Sequence, residues 1–387
     1  MIRRLSAFIS LIVLTMTVTN NSLAQREGFI PVEGASLRSK LDAATSQGRA
    51  KGANFWVAYG FDVRPGVAID YEFNKGDGGT TIVNGSSIST GSKVETRNVG
   101  VFLLYEPGGT VSRVELYNLD RRREYSGYAV YWLGRAGNEE SLSLLRGLIE
   151  SNQANRVGEK AVAAVALHDD PRVDNMLEDF ARHSANEKVR STSVFWLGQT
   201  PGHHAYLGEL VRNEQESEKL RKEAAFSIGA GRDPQALATL QGLFGSINNR
   251  EVKKQIVFAA SINKGEGGDG ASSRRNDAGV DFLIRVAESD PDREVRKQAL
   301  FWLGQKAGQR SLEALGKVVD GSDDDTEVQK QAVFAISQRP KDEAVPLLIK
   351  IAKTHAKPEV RKQAIFWLGQ TGDERALEFF KEVLTNK

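Results

Sequence analysis

The stretch "VRKQALFWLGQ", Val295 to Gln305, returns almost letter for letter as "VRKQAIFWLGQ", Val360 to Gln370. Two near-identical segments in one chain imply two near-identical environments. On a helix, which advances about 100° per residue, Val295, Ala299, Leu300, Trp302 and Leu303 fall on one wide apolar arc. Phe301 falls directly opposite that arc, beside Lys297 and Gln298. One face of the segment is therefore built for a core, and an aromatic ring points away from it.

The same pattern recurs through the second two thirds of the sequence. Its last apolar residue stands at Leu133, Val165, Leu197, Ile228, Ala260, Leu303, Ile336 and Leu368, a spacing of about 32 residues. One interval is longer by about eleven residues and holds "NKGEGGDGASSRRNDAG", Asn263 to Gly279. Each unit has a second amphipathic half, typified by "DEAVPLLIKIAK" (Asp342 to Lys353) and "DERALEFFKEVL" (Asp373 to Leu384). Gly and short polar turns separate the halves, and Asp often stands where a helix needs an N-cap. A single helix pair cannot bury its apolar face alone, whereas stacked copies can. The pattern predicts an α-solenoid of about eight units over residues 121–387, with a Gly-rich insertion at 263–279.

The outward aromatic is a column. It holds Tyr131, Ala163, Phe195, Phe226, Phe258, Phe301, Phe334 and Phe366. One turn earlier stand Lys222, Lys254, Lys297, Lys330 and Lys362, and beside them Gln255, Gln298, Gln331 and Gln363. Two readings fit such a column. Each Phe packs on the Lys stem of the next unit, or the rings and ammonium groups line a groove for a partner.

"DEAVPLLIKIAKTHAKPEVRKQAIFWLGQTGD", Asp342 to Asp373, resembles the short HEAT-like repeat of phycobilisome lyases, with its Ala-Val-Pro-x-Leu first helix and Val-Arg-x-x-Ala second helix ending in Leu-Gly. The resemblance implies second helices along a concave side, and so an inner groove carrying the column. It also implies relatives with chemistry. Deoxyhypusine hydroxylase, a HEAT-like enzyme, holds di-iron on His-Glu pairs. None of the five histidines here is followed by Glu, so the resemblance carries no iron site over. No motif carries bilin-lyase activity over either.

The first 24 residues read as an export signal. Arg3 and Arg4 precede an uncharged, mostly apolar run, Leu5 to Val18, and "SLA" (Ser22 to Ala24) supplies small residues before a cut. An uncleaved anchor is the alternative. No other long apolar segment exists, so no stable membrane span is expected once the signal is removed. The location expected is periplasmic or extracellular. The chain has no cysteine, which excludes disulfides, thiolate catalysis and cysteine-ligated metal. Lys and Arg number 52 against 50 acidic residues, a balance with no global pull towards nucleic acid.

Residues 25–120 differ in texture. Ser36 to Ala50 suits a short helix with Leu37, Leu41 and Ala44 on one side. "NFWVAYGF", "GVAIDYEF", "NVGVFLLYE" and "VSRVELYNL" are β-rich, with Pro65-Gly66 and Pro107-Gly108-Gly109 as turns. A small antiparallel β domain is predicted, docked on the first unit of the solenoid to cover its apolar face.

Chemistry-bearing motifs are sparse. His203-His204 lies in a turn. Gly265, Gly267 and Gly270 satisfy G-x-G-x-x-G but follow a helix, not a strand. "DGSDDDTE", Asp320 to Glu327, lacks the Gly and Glu of a calcium loop and reads as an acidic turn before a helix. The expectation is a non-catalytic exported scaffold, with no cofactor or metal, that binds a protein or extended peptide of apolar or acidic character. The alternative is a divergent enzyme or accessory factor, lyase- or hydroxylase-like, with its chemistry in the N-terminal domain.

Overall fold

The computed structural model describes residues 28–70, 81–83, 96–120, 124–151, 156–231, 233–263, 271–321 and 325–385. The export segment 1–24 and the G-x-G-x-x-G stretch lie outside them. The chain divides into two compact units, Met1–Trp196 and Leu197–Lys387.

The first unit opens with a five-stranded sheet. Strands β1 (Ile30–Pro31), β2 (Phe55–Asp62), β5 (Asn98–Tyr105), β6 (Val111–Asn118) and β7 (Ala129–Arg135) stand in the order β1-β7-β2-β5-β6. Strands β3 (Ala68–Asp70) and β4 (Thr81–Val83) form a separate antiparallel pair. The four β-rich stretches read from the sequence all contribute strands, because aromatic and branched side chains suit a buried pleat. The sheet is mixed where an antiparallel one was expected. Strands β2, β5 and β6 are antiparallel neighbours, but β7 runs parallel to both β1 and β2.

Strand β7 also corrects the repeat count. "AVYWLGR" matches the helical motif and was expected as the second helix of the first unit. It is instead a strand with Tyr131 opposite Val57 and Trp132 opposite Ala58. The β domain therefore extends beyond residue 120, and helix pairs begin at Asn138.

The sheet buries both faces. Phe29, Trp56, Ala58, Phe102, Leu104, Leu119, Val130 and Trp132 form one apolar cluster, with Tyr117 and Tyr125 against it. On the other face lie Phe55, Val57, Tyr59, Phe61, Tyr131 and Leu133, all buried. Helix α1 (Leu37–Arg49) is opened by a Ser36–Ser39 capping box and buries Leu37, Leu41 and Ala44, as its period required.

That second face meets the first helix pair, α2 (Asn138–Ser151) and α3 (Val157–Leu167). The Ser141 hydroxyl lies 3.0 Å from the Tyr59 hydroxyl and 2.8 Å from Nε2 of His168. His168 Nδ1 lies 2.8 Å from the Ala164 carbonyl, so Nδ1 carries the proton and Nε2 is left as acceptor. The imidazole stacks on Phe61 at 4.1 Å between ring centroids. Arg64 N–H donates to the Leu167 carbonyl, and Asp169 N–H to that of Asp62. The β domain thus caps the leading helix pair with both ring packing and backbone bonds.

The helical units continue with α4 (Arg172–His183) and α5 (Glu187–Gly198), α6 (His204–Arg212) and α7 (Glu218–Ala230), and α8 (Ala236–Phe244) and α9 (Arg250–Ile262). After these come α10 (Ala271–Ser289) and α11 (Arg293–Gly304), α12 (Gln309–Asp320) and α13 (Thr326–Ser337), and α14 (Lys341–Thr354) and α15 (Pro358–Thr371). A last helix, α16 (Glu374–Thr385), makes sixteen among the described residues. The expected insertion is partly helix, since α10 begins at Ala271.

Two letters of the motif acquire a cause. In three units the Arg near the start of the second helix reaches back to orphan carbonyls at the end of the first helix, whereas Arg296 turns to the Asp325 carboxylate. Arg190 Nε donates to the Ala181 carbonyl at 2.7 Å, Arg221 Nε to Val211 at 2.9 Å, and Arg361 to His355 at 2.7 Å. Gln329 does the same for Val319 at 3.1 Å. The Gly of Leu-Gly is a seat for the next unit. A Cβ on Gly229 would stand 2.3 Å from the Ala259 carbonyl oxygen, and one on Gly304 2.7 Å from that of Ala335. The expected N-caps are present: the Asp292 carboxylate accepts from the backbone of Glu294 and Val295, and Asp325 from that of Glu327 and Val328.

Candidate functional site

In the second unit the column Phe226, Phe258, Phe301, Phe334 and Phe366 stands on five successive second helices. The rings touch across the unit boundaries. Phe226 stacks on Phe258 at 6.0 Å and Phe301 on Phe334 at 6.4 Å, within 13° of parallel. Between those pairs Trp302 lies 4.9 Å from Phe258 and 5.0 Å from Phe301. Trp367 repeats the arrangement, 5.2 Å from Phe334 and 5.0 Å from Phe366. The result is one continuous run of seven rings. The tryptophans are the members that wheel reasoning missed. They sit at the edge of the apolar arc, and the signal was their position directly after Phe in "FWLG".

The four inner phenylalanines are half-buried, and Phe366 is 55% exposed. Both readings of the column thus have a physical footing. Phe226, Phe258, Phe301 and Phe334 each pack on a ring of a neighbouring unit, and each keeps part of its surface in water.

The Lys row is not a row of free charges. Lys222 lies 3.5 Å from Glu218, Lys254 3.2 Å from Glu251, Lys297 3.3 Å from Glu294 and Lys330 2.9 Å from Glu327. Such half-exposed pairs add little stability, but they cancel the positive field expected of the row. The Gln column is half-buried beside it.

The first unit treats the column differently. Phe195 is half-buried on α5, and Ala163 is buried. Tyr131 is in the sheet, edge-on to Phe55 at 5.7 Å and 1% exposed, with Lys51 over its ring. The structure thus removes it from any helical ladder.

The histidines that sequence reasoning weighed serve the fold. His204 Nδ1 lies 2.9 Å from Asp233, which also accepts from the Gly202 and Gln235 backbone. His355 Nε2 lies 2.9 Å from the Val319 carbonyl. Among the described residues no group of three or more His, Asp or Glu is placed to hold a metal ion.

Two clefts lie among the described residues. One, of about 870 Å³, lies on the first-helix side between α12 and α14, floored by Leu312, Gly316, Pro346 and Leu347, with the Asp320–Lys350 pair at its rim. The other, of about 930 Å³, lies between α1, the turn after Tyr105 and α2. There Arg38 pairs with Asp42, and the Glu140 carboxylate accepts from the Leu37 backbone at 3.0 Å. Burial pushes the Tyr105 hydroxyl up to about 12. Among the described residues neither cleft sets a nucleophile against a base.

Repeating helix pairs, Gly seats and Arg-capped first helices define a HEAT-like repeat protein. Residues 321–387 match the family model of HEAT repeats. No curated protein matches the chain by sequence. Among solved structures, the chain is similar to human deoxyhypusine hydroxylase in complex with glycerol, at 18% identity and a TM-score of 0.30, over 63% of this chain and 89% of that one. It is similar to a designed armadillo repeat protein at 19% identity and a TM-score of 0.29, over 53% and 98% of the two chains. It is similar to lipovitellin at 14% identity and a TM-score of 0.42, spanning 70% of this chain and 36% of that one. No helix among the described residues is long and apolar enough to cross a membrane.

Proposed function

We propose that this chain is an exported, non-catalytic scaffold that binds an extended protein segment along the Phe, Gln and Lys columns of its second helices. The observation that carries the reading is the run of half-buried rings from Phe226 to Phe366, with water-facing edges in register with glutamines that both donate and accept hydrogen bonds. Ring faces offer apolar area at little conformational cost, and a Gln column suits the backbone of an extended segment. Because four of the five lysines, Lys222, Lys254, Lys297 and Lys330, are paired with Glu, the segment is read by apolar side chains and backbone more than by acidity. Export rests on the charge and apolar pattern of residues 1–24.

Selection of displayed peptides on the whole chain tests the binding. Selected peptides should lose at least tenfold in affinity on a Gln255→Ala, Gln298→Ala, Gln331→Ala variant, whose core and rings are untouched. Unchanged affinity, with the variant folded, would place the peptides elsewhere and end the proposal. N-terminal mass analysis of the native protein tests export: a mature start near Gln25 is expected, and a retained Met1 would count against cleavage.

A further inference from the structure

The cleft of about 930 Å³ in the first unit has an apolar floor and two polar groups that the chain itself does not use. Leu37 and Leu41 of α1, Val111 of β6 and Leu148 of α2 line it and are buried. Tyr105 ends β5 directly opposite Phe55 and stacks on it, with centroids 5.3 Å apart and rings 7° from parallel. It is 8% exposed, and its hydroxyl has no hydrogen-bond partner among the described residues. Tyr59, on the same face of the sheet, has its hydroxyl at 3.0 Å from that of Ser141. Buried hydroxyls are nearly always bonded in this way, so the one on Tyr105 calls for a partner.

One face of α1 forms a wall of the cleft, with Arg38, Asp42, Thr45 and Arg49 along it. Its charges are not equivalent. Arg38 is held by Asp42 at 3.2 Å, and the Glu140 carboxylate by the Leu37 N–H. The Arg49 guanidinium has no ion pair among the described residues, yet it is positioned. Its stem and head lie along the turn after β5, where a Cβ on Gly109 would stand 3.2 Å from Cδ, Nε and Cζ. Gly109 also has a φ of 89°, so a side chain there would be strained as well as obstructed.

We propose that this cleft binds the C-terminal end of an apolar peptide, with its carboxylate on Arg49, a backbone carbonyl on the Tyr105 hydroxyl and its side chains on the leucine floor. A planar guanidinium presents paired N–H donors to the two oxygens of a carboxylate. Arg38 and Arg49 are about 16 Å apart along α1, room for three or four extended residues. The Thr45 hydroxyl donates to the Leu41 carbonyl and keeps lone pairs for a peptide N–H. Donor and acceptor on the walls therefore match an amide backbone. One unmatched cation beside Asp42 and Glu140 selects a single negative charge and disfavours a dianion such as phosphate. The volume falls within the range of sites for ligands of this size.

Calorimetric titration of the full chain with acetyl-Leu-Ala-Leu, as the free acid and as the C-terminal amide, tests the proposal. The acid should bind with a Kd on the order of 10–100 µM, and the amide at least tenfold more weakly. Arg49→Gln should abolish the difference between acid and amide. Tyr105→Phe keeps the ring stack and should weaken the acid about three- to tenfold, with the melting temperature of the free chain unchanged. Decanoate, which has the charge and an apolar chain but no amide, should bind at least tenfold more weakly than the acid. No binding of the acid at 1 mM, equal affinity for acid and amide, or a difference that survives Arg49→Gln would overturn the proposal. So would an affinity untouched by Tyr105→Phe, or decanoate binding as tightly as the peptide.

Discussion

Substituting alanine for Gly229 tests the account of the repeat at its tightest point. The added Cβ would lie 2.3 Å from the Ala259 carbonyl oxygen, 2.6 Å from its carbon and 2.7 Å from its Cα. Carbon–oxygen contacts rarely fall below about 3.3 Å, so helix α9 must retreat by about 1 Å. All three obstructing atoms are backbone within a helix, and no rotamer change relieves them. The retreat also loosens the Phe226–Phe258 stack. Overpacking of this kind costs about 1–3 kcal/mol and occasionally more. Alanine returns about 1 kcal/mol of helix propensity. A 2.3 Å contact with helix backbone belongs to the upper part of that range, about 2–3 kcal/mol, so a net destabilisation of about 1–2 kcal/mol follows. The same substitution at Gly369 meets nothing, keeps the propensity gain and should stabilise by about 0.5–1 kcal/mol. Urea unfolding followed by circular dichroism compares the two midpoints. Equal midpoints for Gly229→Ala and parent, or shifts of the same sign for both variants, would refute the seat argument.

Acid should loosen the first unit in a defined window. Burial holds the His168 imidazole down to about 4 from its usual 6.5, against the opposing pull of the Ala164 carbonyl. A base depressed in the fold adds stability while neutral. About 3 kcal/mol is therefore present above pH 6.5 and lost as pH falls towards 4, and thermal melts of His168→Gln should lack this slope. Arg221→Ala leaves the Val211 carbonyl without its buried donor and should cost about 1–3 kcal/mol in urea. Deleting residues 1–120 strips β7 of its sheet partners and bares the Ser141–His168 seam, so light scattering should show aggregation; a monodisperse product would contradict the capping role. Replacing Phe258, Phe301 and Phe334 together with Ser removes inner rungs of the ring run, and melting should fall well below the parent. An unchanged melting temperature would mean that the rings serve binding alone.

The sequence determined the solenoid. Helical period, Asp caps and a fixed spacing are properties of neighbouring residues, and every unit repeats them, so eleven letters read twice suffice to predict stacked helix pairs. It also determined that a β-rich domain precedes them and that a column of rings faces away from each helix's own core. It did not determine what "AVYWLG" becomes. Those letters suit a helix arc and a strand equally, and the choice fell to pairing with residues 30–31 and 55–62, far away in the chain. The direction of β7, parallel to both neighbours in a sheet expected to be antiparallel, was set by the same distant contact. The Trp rungs, the Glu partners that neutralise the lysines and the difference between Gly304 and Gly369 were likewise tertiary decisions. A helical wheel gives the direction of a side chain but not the distance to the next helix, and that distance is what decides whether a ring is packed, a charge is cancelled or a glycine is required.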